Sequence, residues 1–326
     1  VAAEKTGVHI SQSFARSIDR EAGRQSGRKS EADRQPVFPA DAGVISRKRE
    51  ILSRIPVVTK GTGRPPNIVL IFVDDLGYAD TGLYGSDDIP TPHIDSLGKS
   101  GVKFTNAYVT AGSCSPSRAG MMTGRYQQRY GFEFNTSGGA TTHREHRGLD
   151  PSAITIADVL KQAGYATGMF GKWHLGTQPQ FHPLARGFDH FYGFLAGAHS
   201  FLPVNRPEKV FSTIMRGNEP LKESEYLTDA IARETAKFID DHADHPFFAY
   251  VPFNAVHTPI EATKKYQDRF PNIENTKRRD YYAMTSALDD AVGAIIATLE
   301  NQQLTERTLV IFLNDNGGPQ YTGVQS

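Results

Sequence analysis

The stretch Asn67-Ile-Val-Leu-Ile-Phe-Val73 is an unbroken apolar run rich in β-branched residues, bounded by Pro66 and a pair of aspartates, as expected of a strand buried on both faces. A second run, Thr308-Leu-Val-Ile-Phe-Leu313, is equally apolar and ends in Asn314-Asp315-Asn316-Gly317-Gly318. Between them the pattern predicts strands over Gly101 to Val109, Tyr165 to Phe170 and Pro246 to Phe253. Helical signals fall in the gaps. Thr91-Pro92 reads as an N-cap and first-turn proline, and Thr155-Ile-Ala-Asp158 has capping-box spacing, with Gly164 closing the helix. Leu227 to His242 is helical by period, and Tyr281 to Asn301 repeats Leu288, Val292, Ile295, Ile296 and Leu299 along one face. This alternation predicts an α/β fold: a mostly parallel central sheet sandwiched by helices. No internal repeat is present.

At 326 residues the chain has room for one large α/β domain or two smaller ones. Residues 1–60 hold 12 Lys and Arg against 7 Asp and Glu and keep no period for long, so residues 1–65 are expected to be a polar, disordered lead-in and 66–326 the folded domain. Over the whole chain 36 Lys and Arg balance 36 Asp and Glu, so no global field favours nucleic acid or an anionic membrane. No apolar run approaches the roughly 20 residues of a membrane span, and residues 1–30 lack the apolar core of a signal peptide. The single cysteine, Cys114, excludes an intrachain disulfide.

Open α/β sheets place ligands beyond the carboxyl ends of their strands, where this chain puts Asp74, Asp75, Asp315 and Asn316. Such residues also form turns after strands. Three carboxylates and a carboxamide converging there would repel one another without a hard cation, and oxygen ligation points to Ca²⁺ or Mg²⁺. Between the two strands, Ser113-Cys114-Ser115-Pro116-Ser117-Arg118 reads as a loop entering a helix. Cys114 at that helix start beside Arg118 is expected to have a depressed pKa, with an anion site in front of it.

Cys114-Ser-Pro-Ser-Arg118, continuing to Thr123-Gly124-Arg125, together with Gly164 to Gly176 containing Gly171-Lys172-Trp173-His174, resembles the two signatures of type I sulfatases in the alkaline phosphatase-like superfamily. The resemblance runs from about Pro66 to Gly318. It implies that a formylglycine-generating enzyme converts Cys114 to formylglycine. One hydroxyl of the hydrated aldehyde, held on Ca²⁺ with Asp74, Asp75, Asp315 and Asn316, attacks the sulfur of a sulfate monoester. Loss of the second hydroxyl's proton then re-forms the aldehyde and expels sulfate. By position in the motifs, Arg118 stabilises the nucleophile, Lys172 balances charge on the sulfate oxygens, and His174 is the base. His257, in Asn254-Ala-Val-His-Thr-Pro259, meets the sulfate or protonates the leaving oxygen.

The implied substrates are sulfated carbohydrates or aryl sulfates, and the implied compartment is periplasmic, secreted or lysosomal. The resemblance also implies a further catalytic lysine after the Asp-Asn pair, then a small antiparallel C-terminal subdomain. Tyr321 to Ser326 holds no lysine, so the chain is expected to be cut short. Two other readings stand beside this one: a phosphate or phosphonate monoester hydrolase on the same fold, and a non-catalytic fragment that binds sulfated ligands. Phe188 and Phe191 are expected in the core, and Arg144, His146 and Arg147 in a solvated loop.

Overall fold

The computed structural model describes residues 42–58, 63–136, 148–205 and 212–318. Arg144, His146, Arg147 and Tyr321 to Ser326 lie outside the described residues, as does most of the expected lead-in. Its last part is folded, contrary to expectation: α1 (Ala42–Leu52) is a helix. Its Lys48 Nζ lies 2.7 Å from Asp158 Oδ2 and donates to the carbonyls of Pro151 and Ala153. The charge surplus that reads as a solvated tail thus includes a cation with a dedicated partner.

A seven-stranded sheet forms the centre, in the order β5-β4-β3-β2-β6-β1-β7. β1 (Asn67–Val73), β2 (Ala166–Lys172), β3 (His190–Phe194), β6 (Phe247–Pro252) and β7 (Thr308–Asn314) run parallel, and β4 (Met215–Arg216) and β5 (Glu219–Pro220) extend it antiparallel at one edge. The expected mostly parallel, helix-covered sheet is therefore present. Side chains of β1 alternate between two cores. Val69, Ile71 and Val73 face α5 (Leu227–Asp241) and α7 (Thr276–Asn301), whereas Leu70 and Phe72 face α3 (Cys114–Thr123) and α4 (Ile156–Gln162). Phe188 and Phe191 join the second core, as expected.

Two strand expectations are corrected. Gly101 to Val109 forms no strand; Phe104 and Tyr108 are 65% and 89% exposed. Its alternating pattern suits a pleated surface, but β-preference expresses packing against a neighbour, and no neighbouring strand pairs with it among the described residues. β7 is an edge strand rather than one buried on both faces, and its Leu309 and Ile311 are 53% and 37% exposed.

The helix signals were legible in detail. Thr155 and Asp158 make the reciprocal capping box of α4, and α2 (Pro92–Ser100) starts on the predicted proline. α7 begins five residues earlier than its apolar period because the Asn275 side chain accepts from Arg278 N. The start of α2 is held by a residue far away in sequence: buried Asp289 of α7 accepts from Ile94 N at 2.8 Å and His93 N at 3.3 Å. Burial raises the Asp289 pKa despite those donors. Asp289→Ala strands two helix-terminal N–H groups and is expected to cost about 1.5–3 kcal/mol in urea unfolding.

Candidate active site

The parallel strands deliver their carboxyl ends to one side of the sheet, and β1 lies between β6 and β7. Phe72 is level with Pro252, and Val73 with Asn314. Asp315 N donates to Val73 O at 2.9 Å, Asp74 N to Ala255 O at 3.0 Å, and Val256 N to Asp74 O at 2.6 Å. Register alone therefore gathers Asp74, Asp75, Asp315, Asn316 and the turn before His257. Lys172 is the last residue of β2, on the far side of β6. Gly171 before it has φ +134°, and a Cβ there would sit 2.1 Å from Pro252 O, so only glycine lets β2 approach β6 so closely.

The charges form one buried network. Arg118 and Lys172 are fully buried, as are Asp74 and Asp315. Lys172 Nζ lies 2.5 Å from Asp74 Oδ2. The Arg118 guanidinium donates to Asp315 Oδ2 through Nη2 at 2.8 Å and Nε at 3.2 Å, and through Nη1 to Lys172 O at 3.1 Å. Its Nη2 also pairs with Asp74 Oδ1 at 3.3 Å, and the guanidinium lies 5.3 Å from the centre of the Phe72 ring. Asn316 Nδ2 donates to Asp75 Oδ1 at 2.7 Å, and His257 Nε2 is 3.6 Å from Asp75 Oδ2.

Burial alone would raise Asp74, but Lys172 and Arg118 hold it well below the usual carboxylate range. Asp75 is raised by burial and by the charge of Asp74, and Asp315 is raised for the same two reasons with Arg118 opposing. Two fixed cations among three carboxylates leave a surplus of negative charge, which a bound cation would balance.

The residues fit a hard cation. One donor atom each from Asp74, Asp75 and Cys114 lie within 4.8 Å of one another. Asp75 Oδ2 and Asn316 Oδ1 are buried acceptors with no hydrogen-bond donor among the described residues, and Asp74 Oδ1 meets Arg118 Nη2 at 3.3 Å as an ion pair. Oxygen-rich donors of this kind suit Ca²⁺ or Mg²⁺.

Cys114 corrects the reactivity expectation. It opens α3 as predicted, yet burial pushes its thiol up to about 12, with Lys172 only partly opposing. The helix start and nearby cations are outweighed because the thiol is buried and shares its surroundings with Asp74 and Asp315. A thiolate nucleophile is not what this setting favours.

His174, after β2, and Asp75, after β1, are both in the left-handed conformation, at φ +56° and φ +59°. Non-glycine residues held there carry backbone strain, which accumulates at functional sites. The His174 ring packs against Gly197, where a Cβ would lie 2.5 Å from Nε2. His174 O accepts from Thr136 Oγ1, and the Ser115 and Thr136 hydroxyls meet at 3.4 Å, so the loop after β2 and the start of α3 are tied together. Asn254, which the sequence reading did not single out as a site residue, is buried in the turn that ends at His257.

The mostly parallel, helix-covered sheet with acidic residues at the ends of β1 and β7 has the alkaline phosphatase-like fold. The Sulfatase family model matches residues 66–324, and the chain belongs to that family. It is 35% identical over 285 residues to N-acetylgalactosamine-6-sulfatase of Rattus norvegicus, covering 82% of this chain and 53% of that protein. It is 33% identical over 311 residues to N-acetylgalactosamine-6-O-sulfatase of Bacteroides thetaiotaomicron, covering 77% and 59%. Among solved structures it resembles Ps i-CgsB, also solved in complex with k-i-k-neocarrahexaose, with a TM-score of 0.75, 40% identity and coverage of 81% of this chain and 61% of that one. The chain spans about half the length of the curated relatives it matches.

Proposed function

We propose that this chain hydrolyses sulfate monoesters of carbohydrates, using formylglycine made from Cys114 by a formylglycine-generating enzyme and a Ca²⁺ ion, with Mg²⁺ as the alternative. The observation that carries the reading is the buried Lys172–Asp74–Arg118–Asp315 network around Cys114, built from sulfatase-family motifs. Relatives named for sulfated sugars support the carbohydrate class over aryl sulfates. Asp74, Asp75, Asp315 and Asn316 would hold the cation, whose charge favours an anionic oxygen nucleophile at residue 114. Formylglycine would supply that oxygen and the aldehyde carbonyl whose return releases sulfate.

The chain's own residues do the remaining work. Arg118 opposes the rise of the Asp315 pKa, holds that carboxylate in place through two hydrogen bonds, and fixes the end of β2 through Lys172 O. Lys172 balances Asp74 and presents positive charge where an anionic sulfate group would enter. His257, beside Asp75, donates a proton to the departing alcohol oxygen, and His174 takes the proton whose loss accompanies sulfate release. An exported compartment is proposed on the family resemblance; among the described residues no helix is long and apolar enough to cross a membrane.

The test is paired turnover of 4-nitrophenyl sulfate and 4-nitrophenyl phosphate after maturation. Sulfate should be the faster substrate; much faster phosphate turnover would assign the site to phosphoryl chemistry. Ca²⁺ at about 100 times its Kd should stabilise the fold by about 2.7 kcal/mol, seen as a rise in Tm that EDTA reverses. A Tm unmoved by Ca²⁺ and Mg²⁺ would contradict the cation assignment.

A further inference from the structure

Asn254 stands at the end of β6, in the first position of a turn that His257 closes by donating its N–H to Asn254 O at 2.9 Å. The same turn grips the end of β1, since Ala255 O accepts from Asp74 N and Val256 N donates to Asp74 O. Asn254 is thereby carried beside the Asp74–Asp75 pair together with His257. Its side chain is 1% exposed, and neither Oδ1 nor Nδ2 has a hydrogen-bond partner among the described residues. A buried primary amide with both ends unsatisfied destabilises the fold and calls for a reason.

The other buried atoms of the site without a hydrogen-bond partner among the described residues, Asp75 Oδ2 and Asn316 Oδ1, are both acceptors, which a single cation suits. Asn254 differs from them in kind. Its Nδ2 carries two hydrogens that a cation cannot meet, and its Oδ1 is an acceptor that an inorganic anion cannot meet. A sulfated sugar offers both complements in one molecule: sulfate oxygens that accept and a nearby hydroxyl that donates.

We propose that Asn254 is a substrate-binding residue that takes a sugar sulfate by two contacts, Nδ2 donating to a sulfate oxygen and Oδ1 accepting from a neighbouring hydroxyl of the same sugar. This rests on the sulfate-ester reading and sharpens it, because an aryl sulfate without a neighbouring hydroxyl satisfies only half of the amide. Asn254 thus sets a preference for carbohydrate over aryl esters.

The test uses Asn254→Leu, close in volume and without polar atoms, in the full chain with Cys114 unmodified and Ca²⁺ present. N-acetylgalactosamine 6-sulfate and inorganic sulfate are titrated calorimetrically into wild type and variant, and both proteins are melted without ligand. The expected result is sugar-sulfate binding weakened about 30- to 100-fold, inorganic sulfate weakened less than about tenfold, and a Tm raised by about 2–4 °C because an unsatisfied amide has gone. Unchanged sugar-sulfate affinity, as when the amide is partnered only by water, overturns the proposal. So does equal weakening of both ligands with a lowered Tm, which marks a structural role. Wild type that binds no sugar sulfate removes the sulfate-ester reading itself, a failure distinct from the other two.

Discussion

Arg118→Ala is expected to lower the unfolding free energy by about 3–5 kcal/mol and to reduce turnover about a thousandfold or more. The guanidinium is fully buried and contacts Asp315, Asp74 and the carbonyl of Lys172 at once. Its removal leaves two buried carboxylates with Lys172 as their cation among these contacts. Arg118→Lys should recover only part of the loss, since an ammonium cannot reproduce the fork on Asp315 while also reaching Lys172 O. Ca²⁺ should raise the Tm of the alanine variant more than that of wild type, because added cation replaces missing positive charge. Urea unfolding with and without Ca²⁺ checks this, and a variant as stable as wild type would show that the network is not what holds the strand ends together.

Cys114→Ala should behave oppositely, abolishing turnover while leaving the fold nearly intact. Losing the precursor of the nucleophile should cost about 10⁴-fold or more in kcat. Removing one buried sulfur costs only about 1 kcal/mol of packing, because the side chain is small and lies at a helix start rather than deep in the sheet core. Ca²⁺ should still raise the variant's Tm through Asp74, Asp75, Asp315 and Asn316. Measurable turnover by Cys114→Ala would assign the chemistry to another group.

The contrast between these variants reflects what could be read along the chain. Strand ends were legible because continuous apolar runs stop abruptly at Asp74 and Asn314, and the motif around Cys114 and Lys172 is local in sequence. The partners of Arg118 and Lys172 were not, since pairing them with Asp315 and Asp74 requires the order β2-β6-β1-β7, which no local pattern encodes. The thiol was misjudged for a related reason: a helix start and an arginine are visible in sequence, whereas burial, the larger effect, is tertiary. Gly101 to Val109 shows the converse, with strand pattern present and the pairing that would use it absent among the described residues. Asn254 is invisible to motif reading because its significance lies in a buried amide with no hydrogen-bond partner among the described residues.

Residue 114 as an oxygen nucleophile made from cysteine is tested most directly by the mass of the tryptic peptide Phe104 to Arg118. After co-expression with a formylglycine-generating system, the peptide should carry an aldehyde in place of the Cys114 thiol, and the same preparation should hydrolyse a sulfate ester. A peptide holding only unmodified cysteine, from cells in which a control sulfatase is converted, would contradict the account.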